Sequence, residues 1–337
     1  MPCYFPNQVL FPDSGRPIFK GSRAFEEEKG HLPEGFLPCG SCEGCRLKKA
    51  QDWSIRCTHA ASFYEHNYFI TLTYNDKHLP REGVVRKHVA RFLKSLLRKY
   101  NRHRRRNGLP YTSFEYFYCG EYGEDGTKRP HYHLCLFGLE LTDLVAFKKT
   151  KRGNLTFKSA FINECWHRGY ADVGLFTSSA AKYTAMYIQK TKRERKDCKT
   201  HWVRDQNGVP YERNNEIHGS SKSLGLKFLK RWTSDIFPSD ECAVSEVQKD
   251  GTKKTRLYSP PSYYLRKLKE ISIDLYEKVK AKRLKYIKPP DFDELRRKFQ
   301  CKMLQLAKSP RESESDPNCF PYNHDPWRAL FGDCLSS

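Results

Sequence analysis

The chain has 337 residues, enough to bury a sizeable core in one large domain or two modest ones. Its 61 Lys and Arg against 39 Asp and Glu leave a formal net charge of +22, much of it in blocks such as residues 98–106 and 190–199, which points to a polyanionic partner. No stretch approaches the roughly 18 apolar residues of a membrane span, so a membrane role is set aside and nucleic acid is favoured.

The amino terminus lacks the basic-then-apolar order of a secretory signal, so a cytosolic location is expected. Thirteen cysteines, an odd number with three in one tight cluster, fit a reduced protein with a metal site better than a disulfide framework.

Residues 1–45 are rich in Pro, Gly and Cys and show neither period, so irregular structure is expected there. Leu47, Ala50, Ile55 and Ala61 then predict a helix over 45–65, and the β-branched and aromatic run 67–76 predicts a strand closed by Asn75 and Asp76. Val85, Val89, Phe92, Leu96 and Tyr100 recur at three- and four-residue steps, the mark of an amphipathic helix. That helix runs into Arg102, Arg104, Arg105 and Arg106, which are candidate DNA contacts or else a solvated helix face.

Residues 112–123 and 131–140 predict two strands of a hairpin across a turn at 123–130. After a basic, less regular stretch come a short helix at 159–170, a strand end at 171–176 and a helix over 178–196, capped by Ser178 or Ser179. Strands interspersed with helices and joined partly by a hairpin predict an α+β fold, a central antiparallel sheet with flanking helices. Composition divides the chain into a Cys-rich region at 1–60, a core at 61–235 and a basic C-terminal region at 236–337. The last holds a proline-bracketed basic helix within 259–291 and a mobile tail from 309.

In the strand 131–137 alternate side chains share a face, so His131, His133, Cys135 and Phe137 lie on one side and Tyr132, Leu134 and Leu136 on the other. Two imidazoles facing one space suit a divalent metal, although most such pairs on strands are structural or on the surface. Glu121 on the preceding strand is either a third ligand or a surface carboxylate at the turn. On the helix over 178–196, Tyr183 and Tyr187 lie four apart and Lys190 extends their stripe. Such a stripe either packs on the sheet or performs chemistry. A tyrosine hydroxyl can attack a phosphodiester, provided that a metal and nearby positive charge offset a phenol pKa of about 10.

These residues resemble a known family. "RPHYHLCLFG" (129–138) looks like the His-hydrophobic-His motif of the HUH endonucleases, "FITLTY" (69–74) like their first conserved strand, and "YTAMYIQK" (183–190) like their two-tyrosine helix, in matching order. "MPCYFP", "PCGSCEGCRLKKAQDW", "CGEYG" and "SLGLKFL" (223–229) resemble more narrowly the replication initiators of microviruses, the gokushovirus branch especially, over about residues 1–230. Tyr132 is more polar than the usual middle residue of the motif.

The resemblance implies rolling-circle replication of phage DNA in the cytoplasm of an infected bacterial host. The origin of the circular duplex replicative form is nicked, a 5′-phosphotyrosine forms, and the displaced single strand is rejoined. It implies Mg2+ or Mn2+ on His131, His133 and Glu121, alternating nucleophiles Tyr183 and Tyr187, and Lys190 steadying the scissile phosphate or the tyrosine.

Cys39, Cys42 and Cys45, spaced Cys-x2-Cys-x2-Cys, suit a structural Zn2+ with Cys3 as a fourth ligand, an iron–sulfur cluster and free thiols being the alternatives. No Gly-x4-Gly-Lys-Ser/Thr loop is present in the sequence, so a host helicase and replication machinery are expected partners. Two rival readings remain, a non-enzymatic zinc-stabilised nucleic-acid-binding protein and a transposase or relaxase of the same superfamily.

Overall fold

Along residues 67–74 buried and half-buried side chains alternate without a break, the period of a strand with one packed face and one open one. The computed structural model describes residues 3–13, 16–123, 129–150, 153–190, 202–204, 207–237, 239–247, 252–285 and 289–308; the side chains of 186–190, 246, 247, 284 and 306–308 fall outside that description. Two compact units result, one from residues 1–48, 192–200 and 284–337, the other from 49–191 and 201–283.

In the first unit β1 (Asn7–Leu10) pairs antiparallel with both β2 (Ile18–Phe19) and β3 (Glu34–Leu37). Helix α1 (Arg23–Glu28) lies between β2 and β3 in the chain, its cap Ser22 Oγ accepting from the Phe25 amide at 3.3 Å. The expectation of irregular structure is corrected here. Strands of two to four residues are too short to show a period, and only their mutual pairing satisfies their backbone groups.

Helix α2 (Glu43–Ala61) carries the chain into the second unit. There follow β4 (Asn67–Tyr74), α3 (Arg86–Arg106), β5 (Glu115–Tyr122), β6 (Pro130–Phe137), β7 (Val145–Lys149), β8 (Leu155–Lys158), α4 (Ala160–Trp166), β9 (Gly169–Leu175), α5 (Ser178–Lys190), β10 (Trp202–Arg204), β11 (Pro210–Glu212) and β12 (Ile217–Ser220). Seven of these strands form one antiparallel sheet in the order β12-β5-β6-β4-β9-β8-β7. The α+β class is as expected, but β7 and β8 replace the irregular basic stretch. Their period is hidden because every residue of β7 is exposed and a bulge lies between Ala146 and Lys148.

One face of the sheet carries Ile70, Leu72, Tyr132, Leu134, Leu136 and Val173, packed in one core with Val89, Phe92 and Leu96 of α3 and Ile162 and Trp166 of α4. On the other face Phe117, Cys135 and Phe137 meet Ala50, Cys57 and Ala60 of α2 and Ala181 and Ala185 of α5 in a second buried cluster. Helix α5 is capped by Thr177, whose Oγ1 accepts from the Ala180 amide at 3.1 Å, and not by Ser178 or Ser179.

Beyond the sheet come α6 (Leu226–Arg231), α7 (Thr233–Ile236), β13 (Cys242–Val247), β14 (Lys253–Tyr258), α8 (Ser262–Ile271) and α9 (Ile273–Lys285). Leu229, Ile236, Val244, Tyr264, Leu268 and Val279 share a core with Ile55 of α2, so the segment 236–283 packs within the second unit. The basic segment between prolines is two helices, not one: Ser272 is extended, and its Oγ accepts from the Leu275 amide at 3.3 Å. Helix α10 (Phe292–Lys308) belongs to the first unit, where Phe299 packs on Tyr4 and Phe5. The tail from 309 lies outside the described residues, and among those described no helix is long and apolar enough to cross a membrane.

Buried His59 ties α2 to the later elements. Its Nε2–H donates to the Ala243 carbonyl at 3.0 Å, leaving Nδ1 to accept from the Tyr264 hydroxyl at 2.9 Å, and its ring stacks on Phe228. Burial pushes its pKa from 6.5 to about 4. The unfolded chain therefore takes up a proton near pH 6.5 that the folded chain refuses until about pH 4, so His59 stabilises the fold above pH 6.5 and loses that contribution on acidification. Its share is about 3 kcal/mol. His218, lowered to about 4 by burial and by Lys49 and Arg86, acts with the same sign. The denaturant midpoint should therefore fall between pH 6.5 and 4, and His59→Gln should remove part of that slope; an unchanged slope in the variant would refute the assignment.

Candidate active site

The site is built on β6. His131 lies directly opposite Glu121 of β5 and Thr73 of β4, and His133 opposite Cys119 and Thr71. This register puts Glu121 beside the histidines: its Oε1 accepts from His133 Nε2 at 3.0 Å. The Nδ1 atoms face the threonine hydroxyls, His133 with Thr71 at 3.1 Å and His131 with Thr73 at 3.3 Å. Glu121 and His133 are buried and His131 half-buried. Burial, then His133 and Arg129, hold the His131 pKa below 6.5 against the pull of Glu121, so that its ring is neutral at pH 7.

Tyr132 meets the opposite face. It is fully buried, and its hydroxyl accepts from the Val85 amide at 2.7 Å and lies 2.8 Å from that of Tyr74, which satisfies the polar tip and fastens the start of α3 to the histidine strand. The glycines of "CGEYG" make room for this arrangement. A Cβ on Gly120 would stand 2.9 Å from the Tyr132 ring, and one on Gly123 would stand 2.9 Å from His131 Nε2.

Helix α5 brings Tyr183 to the histidines. Ala181 and Ala185 lie buried against the sheet, and Thr184 Oγ1 contacts Cys135 Sγ at 3.6 Å. The Tyr183 ring stands edge-on to His133 with centroids 5.5 Å apart, and Phe69 stacks on the same imidazole at 5.5 Å. Tyr183 is 37% exposed, open enough for a strand to reach. Tyr187 and Lys190 belong to the same helix, but their side chains lie outside the described residues, as does the basic block 191–199.

The other expected residues lie elsewhere. Arg102, Arg104, Arg105 and Arg106 end α3, the helix that covers the opposite face, and Arg104 Nε donates to the Pro110 carbonyl at 2.8 Å. Cys3, Cys39, Cys42 and Cys45 come together in the first unit, all four sulfurs within 4.8 Å of one another. The donor atoms of His131, His133 and Glu121 form a more open set.

Sequence reasoning missed the open half of the histidine face. Tyr170 pairs with Thr73 and Asp172 with Thr71, so both share that face. Lys158 Nζ reaches Asp172 Oδ1 at 2.5 Å and lies 4.6 Å from the centre of the Phe147 ring, with Lys148 Nζ 5.2 Å from the same centre. Tyr170 is 63% and Phe147 55% exposed, large apolar surfaces flanked by cations. The signal was present in Phe147 among the lysines of 145–158, but without strands there was no face to put it on.

Fold and site define an α+β protein whose central antiparallel sheet carries two histidines and a carboxylate on one face, met there by a phenol from the adjoining helix. The sequence profile of the family described as Replication-associated protein ORF2/G2P matches residues 67–192, the stretch from β4 through α5. The replication-associated protein ORF2 of Spiroplasma virus 4 is 32% identical over 302 residues, covering 86% of this chain and 87% of that protein. The replication-associated protein VP4 of Bdellovibrio phage phiMH2K is 30% identical over 242 residues, 70% of each chain. No solved structure matches. The chain belongs to the microvirus-like family of phage replication-associated proteins.

Proposed function

We propose that this protein initiates replication of a small circular single-stranded DNA phage as a site-specific single-strand endonuclease and strand transferase. The observation that carries the reading is the meeting of Tyr183 with His133 on the face that also holds His131 and Glu121. A protein that only bound DNA would have no use for a phenol against paired imidazoles and a buried carboxylate. Family membership supports the same direction.

His131, His133 and Glu121 would hold magnesium or manganese, which when bound polarises a phosphoryl oxygen and offsets the charge that builds on it. The donor chemistry fits two imidazole nitrogens and a carboxylate oxygen. His133 now carries its proton on Nε2, toward Glu121. Moving that proton to Nδ1 frees the Nε2 lone pair, and the Thr71 hydroxyl serves both states because it can donate to a bare Nδ1 or accept from a protonated one.

Tyr183 Oη attacks phosphorus. The Oη–P bond forms as the bond from phosphorus to the 3′ oxygen breaks, the phenol gives up its proton, and the departing oxygen takes one up. One ester replaces another, so a 3′-hydroxyl can later reverse the step without a nucleotide cofactor. Tyr187, one helical turn on, serves as the second nucleophile, and Lys190 offsets negative charge. The single strand follows the open half of the face, where Phe147 and Tyr170 stack bases and Lys148 and Lys158, held by Asp172, meet phosphates. A host helicase opens the duplex replicative form in the cytoplasm of the infected bacterium.

The test is a denaturing gel of the protein with a labelled origin-region strand of its own genome. Manganese should give a protein–DNA adduct; chelator, His131→Ala or His133→Ala should remove it while strand binding persists, and only the double Tyr183→Phe, Tyr187→Phe variant should abolish it among the tyrosine changes. Tight binding with no adduct on any genome-derived strand would leave the non-enzymatic binding protein. Thr71→Val, which deletes the hydroxyl at His133 Nδ1, should raise the manganese concentration needed for half-maximal adduct by about 10- to 100-fold; an unshifted titration would remove Thr71 from the site. Phe147→Ala and Tyr170→Ala should each weaken single-strand binding by about 1–3 kcal/mol in fluorescence anisotropy. Wild-type affinity in both would move the strand off this face.

A further inference from the structure

The antiparallel pairing of β1 with β3 sets Asn7 opposite Leu37, so Cys3, four residues before the one, and Cys39, two after the other, emerge at the same end of the ladder. The chain then turns into α2, placing Cys42 just before its first turn and Cys45 within it. The four sulfurs all lie within 4.8 Å of one another, with Cys39 to Cys45 at 4.0 Å and Cys3 to Cys42 at 3.9 Å. A disulfide needs about 2.0 Å, and the cysteines are free. A tetrahedron of thiolates about 2.3 Å from a central zinc has edges of about 3.8 Å. An iron–sulfur cluster would hold its ligands farther apart, around a core of several atoms.

The surroundings fit charged sulfur. The Cys39 amide donates to Cys3 Sγ at 3.2 Å, the Cys42 amide to Cys39 Sγ at 3.3 Å and the Tyr4 amide to Cys42 Sγ at 3.4 Å. These bonds orient the sulfurs and spread thiolate charge onto the backbone. Cys42 and Cys45 sit at the positive end of a 19-residue helix. We infer that Cys3, Cys39, Cys42 and Cys45 bind one zinc ion as a closed structural centre, separate from the histidine site.

The first unit needs such a centre. Among its described residues only seven apolar side chains are buried, Tyr4, Val9, Leu10, Phe25, Cys42, Leu295 and Phe299, and a core that small is ordinarily held by a metal or disulfides. Tyr4, Phe299 and Met303 pack around the cysteines, so the ion fastens the N-terminal segment, the head of α2 and α10 at one point.

The full-length protein, purified without added metal, should contain one equivalent of zinc by mass spectrometry, with four sulfur scatterers at about 2.3 Å in zinc absorption spectra. His131→Ala, His133→Ala protein should keep that zinc, and Cys42→Ser should lose it. Should Cys42→Ser fail to fold, the wild-type spectrum decides alone. Folded wild-type protein without zinc, zinc bound by nitrogen and oxygen, or iron in its place would overturn the inference.

Discussion

Side chains on a strand alternate, and β6 uses both faces at once. Tyr132, Leu134 and Leu136 are fully buried under α3 and α4, while His131 and His133 point the other way. A slip of one residue would exchange the faces. Burying three such side chains stabilises the fold by roughly 1.5–3 kcal/mol each, which together rivals the 5–15 kcal/mol that typically separates folded from unfolded protein. The histidines therefore cannot trade places with the apolar residues without loss of the fold, and the geometry of the candidate site is set by core packing on the far side.

Polar satisfaction sharpens this constraint. The Tyr132 hydroxyl, the Val85 amide, the Tyr74 hydroxyl and His88 Nδ1 form one buried chain of contacts of 2.7–2.8 Å. Breaking any link would strand a donor or acceptor away from water. The chain holds the start of α3 against β6 directly behind the imidazoles. A tyrosine in the middle of the histidine motif thus fixes depth along the strand in a way that an aliphatic residue, which has no directional contact, could not.

The parts legible in the sequence were those with a long period. β4, α3, the β5–β6 hairpin and the face shared by His131 and His133 all follow from alternation or from three- and four-residue recurrence in runs of eight residues or more. The placement of Glu121 against His133 needed the register, which sequence alone left open. β1 to β3 are too short for any period, and β7 is exposed on all residues and bulged, so neither the small sheet nor the β7 edge of the large one could be read. With β7 missing, Phe147 and Lys158 had no shared face. The break between α8 and α9 was hidden for another reason: Ser272 interrupts the helix by capping the next one, without a proline or glycine to announce it.

The distribution of charge separates two tasks that the net value of +22 blurs. The arginines at 102–106 end a helix whose start touches Tyr132, which puts them roughly 25–30 Å along its axis from that contact, beside which the two histidines lie. At physiological salt the screening length is about 8 Å, so those charges exert little force on a phosphate at His133. They answer instead to the negative end of α3, where cations are locally stabilised. Lys148 and Lys158 are fewer, yet they lie on the histidine face and are oriented by Asp172. Proximity to the histidine face, and not the size of the basic block, decides which positive groups can act on an anion held there.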